Sequence, residues 1–153
     1  MSYLGGATLD WQSDYAQFYL VDGHSLLGEA PVDITPEMMQ RRWHPMPSGL
    51  VVYTNDCLRQ LIEVRLFSTA QSADATDYRS DQPWTQTEIA TAMLPSRTFS
   101  ISSPSKAGTE AYGPHFRVDG TPVIVRIQWM ELGDRNYDRE GPQDVIRLDI
   151  WPG

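Results

Sequence analysis

Three histidines, His24, His44 and His115, are the residues best suited to act as a general base or as metal ligands near neutral pH. Their local settings support neither role. His24 follows the Asp22-Gly23 turn, His44 lies in Trp43-His44-Pro45, and His115 follows Pro114, with no HExxH or HxH spacing among them. A structural or surface role is expected for each unless the fold brings them together. The single cysteine, Cys57, sits beside the Asn55-Asp56 turn with no nearby histidine or helix N-terminus to lower its pKa, so it reads as an inert thiol. One cysteine also excludes an internal disulfide and suits a reducing cytoplasm.

Carboxylates offer little more. Asp74-x-x-Asp77-x-x-x-Asp81 and Asp134-x-x-x-Asp138 lack the alternate-residue oxygens and turn glycine of a calcium loop, so no metal is expected. Glu63 and Glu131 could serve glycoside hydrolysis only at a defined separation that spacing does not supply. No Gly-x-Ser-x-Gly elbow and no phosphate-cradling glycine loop occurs. The chain therefore reads as a non-enzyme without a cofactor.

Charge points toward a protein partner. The 153-residue chain carries a net charge of −8, and six acids precede Arg41, the first basic residue. Such a surface repels phosphate backbones and disfavours nucleic-acid binding, but it suits a basic protein such as a nuclease or toxin. Eleven of the twelve basic residues are arginine, which favours planar, bidentate pairing. No stretch approaches the roughly 18 to 20 apolar residues needed to cross a bilayer, and the N-terminus lacks an exported pattern. A cytoplasmic protein with no membrane contact is expected.

The elements that must position these residues are mostly strands. The closing segment from Asp144 to Trp151 alternates, with Ile146, Leu148 and Ile150 on one face and Val145, Arg147, Asp149 and Trp151 on the other. Val123, Val125, Ile127 and Trp129 make the same pattern just before it, opposite Arg126 and Gln128, and form its expected partner. Phe18 and Leu20, then Phe99 and Ile101, mark two further strands. Residues 49–54 and 58–67 read as a hairpin turning at Asn55-Asp56. Trp84 to Leu94 is a strand by context. Residues 24–48 form a long proline-rich loop with a helical turn at Thr35-Pro36, and 68–83 a polar loop. The sum is an all-β, two-layer antiparallel β-sandwich of about seven to eight strands with long loops, one domain over residues 1–153.

The strand Asp14 to Leu20, the segments Gly49 to Thr54 and Leu58 to Leu66, Trp84 to Glu88 and the closing Ile150-Trp151-Pro152 resemble a family of small bacterial β-sandwich proteins. That family is similar to competence protein J, an inhibitor of a DNA-entry nuclease. The resemblance implies a compact sandwich that binds and masks a nuclease or toxin.

Two functions follow. The first is a non-enzymatic protein-binding module, a nuclease inhibitor or immunity-like protein, with Asp74, Asp77, Asp81 and Trp84 as its binding residues. The second is a small-ligand or carbohydrate-binding sandwich, hydrolytic in one form, with Trp43, Tyr112, His44 and His115 lining a pocket. A plain oligomeric scaffold would instead expose an apolar face at Leu61, Phe67 and Trp151.

Overall fold

The computed structural model describes residues 2–13, 15–23, 33–54, 59–71, 84–104, 114–131 and 144–153. Ten strands and one short helix lie within them, in the order β1 (Tyr3–Gln12), β2 (Gln17–Asp22), α1 (Pro36–Arg41), β3 (Trp43–Met46), β4 (Gly49–Tyr53), β5 (Arg59–Phe67), β6 (Gln86–Ala92), β7 (Thr98–Ser102), β8 (His115–Arg117), β9 (Val123–Glu131) and β10 (Asp144–Pro152). They build two five-stranded sheets, β1-β5-β10-β9-β6 and β3-β4-β2-β7-β8. The all-β sandwich is as expected, with more strands than anticipated and one parallel pair, β10 on β5.

Alternation explains the core. Ile146, Leu148 and Ile150 of β10 lie opposite Trp129, Ile127 and Val125 of β9, and opposite Ile62, Val64 and Leu66 of β5. Those rows face Phe18, Leu20, Phe99 and Ile101 of the second sheet across one apolar layer. The β9/β10 pairing matches the sequence reading. On the other face of the second sheet, Tyr19, Val21, Val51 and Tyr53 bury Met38 of α1. The helix begins where expected, because Thr35 Oγ1 accepts the Met38 N–H at 3.3 Å and Pro36 opens the first turn.

One expectation is overturned. β4 and β5 do not form a hairpin: β4 pairs with β2 and β3, while β5 crosses to the other sheet and pairs with β1 and β10. Both runs are apolar enough to enter a core, and each finds a better-matched row in a different layer. The Asn55-Asp56 turn lies outside the described residues. Three strands were also unforeseen: β1, β3 within the proline-rich stretch, and β8. Among the described residues, no helix is long and apolar enough to cross a membrane.

Candidate functional site

Chemistry-bearing side chains converge on the outer face of the first sheet. Antiparallel and parallel registers place Arg65, Asp149 and Arg126 side by side on β5, β10 and β9, with Glu63, Arg147 and Gln128 in the next row. The Asp149 carboxylate accepts two hydrogen bonds from Arg65, at 2.6 and 2.8 Å, and one from Arg126 at 2.7 Å. Arg147 Nε donates to Glu63 Oε2 at 2.8 Å. Asp149 is fully buried and Arg147 is 1% exposed, so the charges survive desolvation through this mutual pairing.

Aromatic rings complete the arrangement. Trp84 covers the Arg147 guanidinium at 4.9 Å, Phe67 covers Arg65 at 5.3 Å, and Trp151 covers Arg126 at 5.7 Å. Each arginine thus pairs with a carboxylate and also lies against an aromatic ring. The face anticipated as exposed and apolar at Leu61, Phe67 and Trp151 is not one. Phe67 and Trp151 are buried at 9% and 8% exposure beside charged neighbours, and Leu61 is half-buried.

Beside this ladder, toward the β1 edge, a cavity of about 520 Å³ opens over Gly6. Tyr3 and Phe67, with ring centroids 5.6 Å apart, wall one end, and Thr8, Glu63 and Arg65 line the rest. Gly6 has no substitute here. A Cβ at that position would stand 1.9 Å from the Val64 carbonyl oxygen.

A second concavity, of about 360 Å³, lies where α1 meets β6, lined by Glu37, Gln40, Arg41, Gln86 and Glu88. Gln86 Nε2 donates to the Gln40 carbonyl at 2.9 Å and ties the two elements together. Arg41 stacks on Trp43 at 4.9 Å, donates to the Trp43 carbonyl at 2.7 Å, and places Nη2 2.6 Å from His44 Nδ1. Partial burial, reinforced by the Arg41 charge, holds the His44 pKa below 6.5. Burial first, then Tyr19, raises the Tyr53 pKa above 10.0, against an opposing pull from Arg41. These groups anchor α1 to the second sheet.

The structure separates the residues of the proposed sugar pocket. Trp43 and His44 lie on β3 and His115 on β8, the two opposite edges of the second sheet, roughly 19 Å apart at four strand spacings. His24, Tyr112 and Cys57 lie outside the described residues. So do Asp74, Asp77 and Asp81, whereas Trp84 is half-buried over Arg147. Glu63, a candidate for glycoside chemistry, is committed to Arg147. The ladder's signal in the sequence is the Glu63/Arg65 alternation on β5 and the Arg147/Asp149 alternation on β10, joined by Arg126 on β9.

The pairing also relocates the negative charge. Ten of the twenty acids but only four of the twelve basic residues fall outside the described residues. Among the described acids, Asp22, Glu63, Asp144 and Asp149 are buried. Most of the excess therefore falls on residues outside the described ones, and Asp33, Glu37 and Asp119 are exposed.

No protein-family model and no curated protein matches the chain. Two solved structures do. The product of crocagin biosynthetic gene J shares 13% identity over 97% of each chain, with a TM-score of 0.58. ComJ, inhibitor of the DNA degrading activity of NucA, from Bacillus subtilis, shares 10% identity over 100% of this chain and 99% of that one, with a TM-score of 0.68. Superposition over the full length, at a TM-score of 0.68, thus gives this chain a ComJ-like fold.

Proposed function

We propose that this chain is a non-enzymatic, cytoplasmic, single-domain protein that binds and inhibits a nuclease, or a toxin with a comparably basic cleft. The observation that carries this reading is the end-to-end structural match to ComJ, a nuclease inhibitor. Charge supports it. A nuclease cleft that holds a phosphate backbone is cationic, and the chain's net charge of −8 complements it. Asp74, Asp77, Asp81 and Trp84 form the contact, with the Trp84 ring steadied on one face by Arg147.

The test mixes the purified chain with each nuclease encoded beside its gene and follows DNA cleavage over a salt series. Inhibition that weakens as salt rises is expected, because complementary charge acts mainly on the rate of encounter. Changing Asp74, Asp77 and Asp81 together to Asn should slow association by about tenfold. No binding to any neighbouring product, or inhibition indifferent to both salt and these changes, would count against the reading.

A further inference from the structure

Two features of β1 shape the cavity over Gly6. Its register against β5 shifts between Tyr3, which lies opposite Phe67, and Gly5, which lies opposite Leu66, so an extra residue is taken up there and Gly5 adopts a φ of +146°. Such a bulge reverses the alternation of the strand. It brings Tyr3 onto the face that carries Gly6 and Thr8, where its ring meets Phe67. Gly6 contributes no side chain, so the space between the paired rings and Thr8 stays open.

The charge that a ligand meets there is that of Arg65. Arg65 and Arg126 draw on the one carboxylate of Asp149, which is fully buried, whereas the Arg65 side chain is 28% exposed. Arg65 donates Nε and Nη2 to Asp149 and lies 5.3 Å over the Phe67 ring; among the described residues nothing accepts from its Nη1. Glu63 also lines the cavity, but its side chain is only 4% exposed and accepts from Arg147. The result is a part-neutralised guanidinium flanked by aromatic surface, with Thr8 at the far end.

We propose that the Gly6 cavity binds a small aromatic carboxylate, its ring packed against Tyr3 and Phe67 and its carboxylate accepting from Arg65 Nη1 and Thr8 Oγ1. The volume of about 520 Å³ suits such a ligand, because small-molecule sites run from about 300 to 1,000 Å³. Charge decides among ring compounds. A cationic one is repelled by Arg65, and a neutral one forgoes the charge-assisted bond. The site needs no protein partner and does not rest on the nuclease reading.

The test titrates the full chain with 2-naphthoate and follows the backbone amides by NMR. Expected are saturable shifts at Gly6, Thr8 and Arg65, with the neutral 2-naphthamide bound about tenfold more weakly and the cationic 2-naphthylmethylamine weaker still. Thr8→Phe, which fills the cavity from an exposed position, should abolish the shifts at an unchanged melting temperature. Arg65→Gln should weaken binding by about tenfold, but it also removes a partner of the buried Asp149. Tyr3→Ala lies outside the ion-pair ladder and should weaken binding by about fivefold with the fold kept. Equal affinity for the acid, the amide and the amine overturns the proposal, as do shifts confined to other parts of the chain, undiminished binding by Thr8→Phe or Tyr3→Ala, or no saturable binding. Failure to inhibit any neighbouring nuclease defeats the nuclease reading alone.

Discussion

β10 and β1 flank the same strand, β5, yet they live in different solvents. From Asp144 to Trp151 every residue of β10 is buried, on both faces, while β1 buries only Trp11. A central strand cannot leave a charge unpaired, so Arg147 and Asp149 are matched to Glu63, Arg65 and Arg126 within hydrogen-bonding distance. Among the described residues β1 pairs with β5 alone, and six of its ten positions are exposed. Its exposed side chains stay hydrated, so they contribute little to stability.

The sharpest way to break the contrast is to remove one charge from the ladder. Arg147→Met should cost about 3 to 5 kcal/mol in urea unfolding, because it removes the hydrogen-bonded cation beside the buried Glu63 carboxylate. Adding Glu63→Gln to that variant should recover much of the loss. A double variant no better than the single would mean that packing against Trp84, not charge pairing, sets the cost.

Next come the apolar residues of the two strands. Leu148→Ala in β10 should destabilise by about 3 kcal/mol, since the side chain is fully buried. Leu9→Ala in β1, half-buried, should cost about half as much. Equal losses from thermal or urea unfolding would erase the distinction between centre and edge.

Smaller still is the exposed pair at the β1 edge. Arg59→Ala should change stability by at most about 0.5 kcal/mol, because Asp10 and Arg59 remain solvated when paired. The same unfolding assay run at high salt should shrink even this difference.

The smallest effect concerns pH. The fold holds the His44 pKa below its ordinary value of 6.5, so an unfolded chain takes up that proton first as pH falls. The associated stability is complete above 6.5 and declines below it, down to the folded-state pKa. His44→Gln should flatten this acid-side decline in melting curves recorded between neutral and mildly acidic pH. An unchanged slope would show that His44 is protonated as readily in the fold as outside it.

These strands also show how far a chain can be read without its partners. β9 and β10 were legible because a two-residue period with one apolar face has a single low-energy placement: apolar face to the core. β1 was not. Gly5-Gly6 interrupts its pattern, and an edge strand wet on one side lacks a strong apolar row. β3 hid in a proline-rich stretch because its Pro45 sits on an edge, where a missing N–H costs nothing. Trp84, expected from the sequence to be a binding residue, lies over the guanidinium of Arg147, far along the chain.

Local alternation, turn residues and the Thr35-Pro36 start of α1 are properties of neighbouring residues, and they suffice to specify strands, one helix and an all-β core. The crossing of β5 away from β4 into the other sheet, its parallel pairing with β10, and the ion-pair ladder depend on residues as far as 84 positions apart. Which strand lies beside which, and therefore which charges are paired, emerges only when both sheets compete for the same apolar rows. Register across the assembled sheets, and not the order of residues along any one strand, turns scattered arginines and carboxylates into a single structure.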